Sequence, residues 1–258
     1  MIITTEAVVL KARRYSESSK IIVLYTRQRG KLSAIAKGAL RGRGRFGSSL
    51  DVLSHVTAVL YVKEERELQV LSECDLFEPF RTLSQDAEKM AAAMGCVELL
   101  HAATHPEERS EALFSLLVRV LAAADRATKR AGNTLYYFEM GLLDVLGFKP
   151  ILHSCVSCGA AVGDDPAGGG MHLSEDGVIC RQCLRKHHGL FTLSRPAFRV
   201  LQRLQELKEP LAVTRWSLSD PVRAEIGATL RRLLQHHIEG LGPLKSEQVF
   251  GAFPVSRS

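Results

Sequence analysis

Apolar and polar positions alternate over the first 75 residues, then switch to a three- and four-residue rhythm. Residues 7–10, 21–26 and 31–36 read as short strands, separated by turn-like stretches at 13–19 and 27–30. Val52, Val56, Ala58, Leu60 and Val62 lie at even spacing, the pattern of a half-buried strand. Leu68, Val70 and Leu71 suggest a fifth. Five short strands in this length match a small closed barrel; an OB-fold and an SH3-like barrel satisfy the spacing equally. Past Pro79 the chain turns to Ala, Leu, Met and Glu. Thr82 and Gln85 have capping-box spacing before a helix to about Ala103. Pro106, Glu107 and Glu108 suit the first turn of a second helix ending near Gly132, and Asn133 caps a third closed by Gly147. Ser194–Pro196 opens another helix, and Asp220–Pro221 opens a last one ended by Gly240. Apolar stripes on these helices imply that they pack on one another.

The fold class expected is therefore α+β: an N-terminal five-stranded barrel, then an all-α domain interrupted by a cysteine-rich module. The divisions read as 1–80 for the barrel, 81–152 helical, 153–190 the cysteine module, and 191–258 returning to complete the helical domain. No apolar run approaches the roughly 18 residues of a membrane span. The start lacks the basic and small-residue marks of a signal peptide. The expectation is a cytoplasmic protein with no membrane partner.

Charge sharpens this picture. The net charge is +6, but residues 1–50 carry eleven Lys or Arg against Glu6 and Glu17. A field localised in this way marks a polyanion-binding surface. Arg13, Arg14, Lys37, Arg41, Arg43 and Arg45 are the candidates for gripping phosphates, since Arg forks hold phosphate oxygens bidentately, and Lys31 adds a point charge. Tyr15 and Phe46, in basic loops, are candidate stacking faces for bases; Tyr25 and Tyr61, inside strands, are expected in the core. Residues 42–47 spell G-x-G-x-x-G, but that motif must open a helix to hold a dinucleotide, and a strand pattern follows. Flexible backbone carrying arginines fits a phosphodiester chain better.

Six cysteines are too few for a disulfide scaffold of this length. Cys74 and Cys96 stand alone and read as core residues. Cys155 and Cys158, then Cys180 and Cys183, form C-x-x-C pairs separated by 21 residues, the outline of a zinc ribbon. The intervening glycine-rich tip and the segments 171–173 and 177–179 suggest a hairpin. Four thiolates fill a tetrahedral ion and leave no open position, so one structural Zn²⁺ is expected rather than a catalytic one. His153, His172, His187 and His188 are spare ligands only. His101 and His105 share i, i+4 spacing without an acidic or cysteine partner, which favours ordinary boundary residues.

These segments together resemble the RecO family of bacterial recombination mediators. The resemblance rests on residues 7–10, Tyr15-x-Glu17-x-Ser19, Tyr25-Thr26 with Gly30-Lys31-Leu32, Ala36-Lys37-Gly38-Ala39-x-Arg41, and Arg45-Phe46. Leu142-Leu143, Leu146-Gly147-Phe148-x-Pro150, both cysteine pairs and Leu244-Lys245-Ser246 extend it over nearly the whole chain. It implies an OB-fold, binding of single- and double-stranded DNA, strand annealing, and loading of RecA with RecR onto single strands coated by SSB, within the RecFOR pathway of repair. It implies no nucleotide hydrolysis and no small-molecule substrate, and Lys37 and Arg41 match its basic DNA-binding stretch. A sequence-specific zinc-ribbon transcription factor is the alternative; an enzyme has less support, since no Walker lysine, H-E-x-x-H or G-x-S-x-G motif is present.

Overall fold

In the computed structural model, residues 1–41, 46–63, 65–163, 170–172 and 176–250 are described. Five strands, β1 (Ile2–Arg14), β2 (Lys20–Thr26), β3 (Gly30–Ala36), β4 (His55–Tyr61) and β5 (Leu68–Glu78), close into a barrel in the order β1-β2-β3-β5-β4. Within the barrel, β3 and β5 run parallel and the other strand pairs antiparallel. This Greek-key closure is the OB arrangement. Strand β1 is much longer than residues 7–10 because it pairs on both sides: Ile2–Val8 with β4, and residues 7–14 with β2. A bulge between Val9 and Lys11 lets one strand bend from one neighbour to the next.

Val9, Ile22, Leu24, Leu32, Ala34, Val56, Ala58 and Leu60 fill the barrel. Phe46 and Leu50 join them, so Phe46 is a core residue at 4% exposure and not a stacking platform. Tyr61 corrects the reading in the other direction: it is half exposed, whereas Tyr25 is fully buried and Tyr15 is exposed. Val52 lies in the turn before β4, not in the strand. Cys74 and Cys96 are buried, as the reading of them as core residues requires.

The helical part comprises α1 (Ala87–Ala103), α2 (Glu111–Arg126), α3 (Asn133–Val145), α4 (Arg195–Glu206), α5 (Asp220–His237) and α6 (Lys245–Phe250). Several starts shift from expectation. Thr82 precedes only a short 3-10 turn; the cap of α1 is Asp86, whose carboxylate accepts from the Lys89 N–H. The Thr82 hydroxyl instead donates to Asp125, tying that turn to the end of α2. Ser110, not Pro106, caps α2, and the helix ends at Arg126. Asn133 lies inside α3, fully buried, donating to the Val213 and Trp216 carbonyls. Gly147 does end α3: at φ +86° its N–H reaches the Asp144 carbonyl and the Phe148 N–H reaches Leu143, a Schellman closure.

Barrel and bundle share one core. Val8, Leu10 and Tyr25 pack with α1 and α2 residues such as Leu100, Phe114 and Leu117. The β2–β3 turn docks tightly: Gly30 has φ +62°, and a Cβ there would overlap the Glu108 carbonyl. The Glu107 N–H donates to the Lys31 carbonyl at 2.9 Å beside it.

Candidate nucleic-acid interface and metal centre

The register brings the ends of three strands together. Arg14 pairs with Lys20, and Lys20 with Ala36, so the residues after β1, before β2 and after β3 meet at one end of the barrel. The Leu40 N–H donates to the Ser18 carbonyl at 3.0 Å and locks the two loops side by side. Gly38, at φ +75°, turns the chain after Lys37, and the Arg41 N–H returns to its carbonyl. Arg14, Lys37 and Arg41 are exposed at this end. Lys20, absent from the expected set, joins them, with Asp51 3.9 Å away. Arg13 is exposed but faces the other side of β1, lining a cleft of ≈ 610 Å³ between barrel and α1 with Lys11 and Lys245. Arg43 and Arg45 lie outside the described residues, as does most of the G-x-G-x-x-G stretch; Phe46 to Leu53 beyond it is turn, leading into β4 and not a helix.

The other N-terminal bases are spent inside the molecule. The Lys31 ammonium donates to the His101 carbonyl at 2.8 Å and to the Thr104 carbonyl, satisfying the C-terminus of α1. These contacts commit its ammonium to the barrel–bundle seam. Arg27 sits 3.2 Å from Glu6, pairs with Glu111 and covers the Phe114 ring, and Arg29 lies 4.0 Å from Glu107. Position on the strand decides the fate of each: bases on the face or turn meeting the bundle become docking contacts, and those at the far end stay in solvent. His101 is held by the same contact; burial, then the charges of Lys11 and Lys31, push its pKa down to about 4. His105 has left the helix, so the pair does not share a face.

The second site forms where the chain leaves α3. Residues 151–163 and the hairpin β6 (Gly170–His172) and β7 (Gly177–Ile179) make the ribbon. Gly159, at φ +73°, closes the first knuckle by donating to the Cys155 carbonyl at 2.8 Å, and the Cys183 and Leu184 N–H groups close the second on Cys180. All four sulfurs of Cys155, Cys158, Cys180 and Cys183 lie within 4.8 Å of one another. The Cys158 and Cys180 sulfurs are 3.8 Å apart. A tetrahedral ion with metal–sulfur bonds of about 2.3 Å requires edges of about 3.8 Å, so the donor set fits. Burial pushes the Cys155 thiol up, but backbone N–H groups of Cys180, Cys158 and Ser157 outweigh it and bring it to about 6, favouring the thiolate a metal needs. Apart from the cysteines, Ile179 is the only fully buried residue of the ribbon's own cluster among the described residues. No histidine joins the sulfurs among the described residues. The four cysteines can hold one metal ion.

Comparison with known proteins fits both sites into one family. Residues 1–80 match the model of the recombination protein O N terminal region, and residues 84–248 that of its C terminal region. The chain belongs to the RecO family. A DNA repair protein RecO from Symbiobacterium thermophilum is 35% identical over 199 residues, 77% of this chain and 78% of the relative. One from Salinibacter ruber is 30% identical across all of this chain and 98% of its own. One from Anaeromyxobacter dehalogenans strain 2CP-C is 32% identical over 90% of this chain and 89% of its own. This RecO-family chain is thus a DNA repair protein by kinship, built as an OB-like barrel, a helical domain and a metal-competent ribbon. No helix among the described residues is long and apolar enough to cross a membrane.

Proposed function

We propose that this RecO-family chain is a non-catalytic DNA-binding mediator. It binds single- and double-stranded DNA through the free end of its barrel and anneals complementary strands. With RecR it loads RecA onto single strands coated by SSB in the cytoplasm, at the nucleoid. The observation that carries the reading is the segregation of the N-terminal bases. Lys31, Arg27 and Arg29 are consumed in docking, while Arg14, Lys37 and Arg41 are left exposed at one end, beside the half-buried Lys20. Arg13, on the other face of β1, and Arg43 and Arg45 complete the proposed set of phosphate contacts. Among the described residues no groove-entering helix projects from this end, which favours contact with backbone over base edges. Neutralising phosphates on two strands lowers their mutual repulsion and so favours pairing. The ribbon holds one Zn²⁺ through Cys155, Cys158, Cys180 and Cys183, and that ion supplies folding energy and no chemistry.

Each phosphate contact on a single strand contributes about 0.7 to the slope of log affinity against log salt. Lys37→Glu/Arg41→Glu should therefore weaken binding of an oligothymidine at low salt and flatten the slope by about 1.4 or more. Unchanged affinity and slope would remove the barrel end as the interface. Equal response to unrelated duplexes separates this reading from a sequence-specific transcription factor.

A further inference from the structure

The charge of the N-terminal fifth hides a second basic block. Between Gly177 and Gln205 the chain has six Lys or Arg and no Asp or Glu. Three of them, Arg195, Arg199 and Arg203, fall at i, i+4 and i+8 on the exposed side of α4. Arg181, Arg185 and Lys186 are exposed around the second cysteine knuckle. Arg199 and Arg203 line a cleft of ≈ 560 Å³ between α4 and the ribbon, opposite His153 and Gly163. Arg203 lies 5.6 Å over the Trp216 ring, and Arg232 of α5 lies 5.1 Å over Phe191 at the end of the ribbon. Stacking fixes a guanidinium plane while leaving its N–H edges for a ligand. Among the described residues, Glu225 accepts from Ser194, Asp176 is 2.6 Å from His237, and Glu206, which also lines the cleft, is 3.9 Å from His153.

We infer that the face of α4 and the ribbon knuckle is a second phosphodiester-binding surface, which holds one DNA strand while the barrel holds another. Four helical residues rise about 6 Å, so the α4 arginines repeat at a spacing near that of successive phosphates on an extended strand. Planar forks in a line suit phosphates. An acidic peptide would need an apolar anchor as well, and among the described residues Val162 is the only aliphatic side chain lining this cleft. The barrel sits against α1 and α2, whereas the ribbon is held by α4 and α5 through Gln202 to the Leu152 carbonyl and His237 to Asp176. The two surfaces are thus carried by different helices, and one chain can grip two strands at once. This rests on the barrel reading above and gives annealing a physical basis: a pair of strands held on one body meets at high effective concentration.

The test uses the full chain with Arg185→Glu/Arg195→Glu/Arg199→Glu. Anisotropy of one labelled oligothymidine is titrated on this variant and on Lys37→Glu/Arg41→Glu, so that each surface is read with the other reversed, and energy transfer between two non-complementary labelled oligonucleotides measures bridging. Expected is residual single-oligonucleotide binding by either variant, with bridging lost in both and annealing of complementary strands at least about tenfold slower. Should the triple reversal fail to fold, Arg185→Gln/Arg199→Gln replaces it, and the salt slope of the annealing rate should flatten by about 1.4. Undiminished bridging and annealing overturn the inference, and an acidic protein partner becomes the reading of this patch. Failure of the barrel reading would appear separately, as unchanged binding by Lys37→Glu/Arg41→Glu.

Discussion

Lys31→Met separates the two populations of basic residues. Methionine keeps most of the aliphatic stem and removes the ammonium, so packing changes little. What is lost is a pair of charge-assisted hydrogen bonds to the His101 and Thr104 carbonyls, the last acceptors of α1. A hydrogen bond to a charged group contributes about 1.5–3 kcal/mol when shielded, and this site is only partly shielded. Two such bonds, with water free to replace part of each, put the loss at about 2–3 kcal/mol. For a chain of this size that lowers Tm by about 5–10 °C. Calorimetry or far-UV circular dichroism reads the shift, and the salt dependence of oligothymidine binding is measured on the same sample below the transition. Expected is a clear drop in Tm with an unaltered salt slope. A flattened slope with unchanged Tm would refute the assignment of Lys31 to docking, and with it the division of the N-terminal charge.

Further outcomes follow from the other contacts. Purified chain should carry about one metal ion, and stripping it with a strong chelator, or Cys180→Ser, should expose residues 153–190 to protease while leaving oligothymidine binding by the barrel in place; thiolate sites of this kind bind with about 10–16 kcal/mol, far beyond what the ribbon's small core supplies. His101 has a folded pKa of about 4 against an ordinary 6.5, so the unfolded chain takes up its proton first; stability should fall as pH drops from about 6.5 to about 4 and level off below, and a pH series of melts on His101→Gln should lose that leg.

The barrel was legible because its strands alternate: inward Val56, Ala58 and Leu60 sit at period two. The length of β1 was not, since its outer half is polar, and a strand that closes a barrel needs partners on both sides rather than an apolar run. Helix existence followed from the apolar stripes, but starts did not. Thr82 and Asn133 are good caps in isolation, and tertiary contacts claimed their side chains for Asp125 and for the Val213 and Trp216 carbonyls. Short α6 carries too little pattern to announce itself; Glu98 holds it by accepting from the Lys245 and Ser246 N–H groups, 147 or more residues away in sequence. At the candidate sites the cysteines were readable from spacing alone. The basic residues were not separable, because charge along the chain does not say which side of a strand faces the bundle. The α4 arginines were hidden by the acids elsewhere, which cancel them in any sum over the remainder.

Gly30 sets a limit on how this molecule can work. With no methyl between the hairpin tip and the Glu108 carbonyl, barrel and bundle meet as peg and socket. No slack is left there for a swivel. Strands captured at the two ends would be kept at a constant span, like the jaws of a fixed gauge, and it is the nucleic acid that must flex to bring its bases into register.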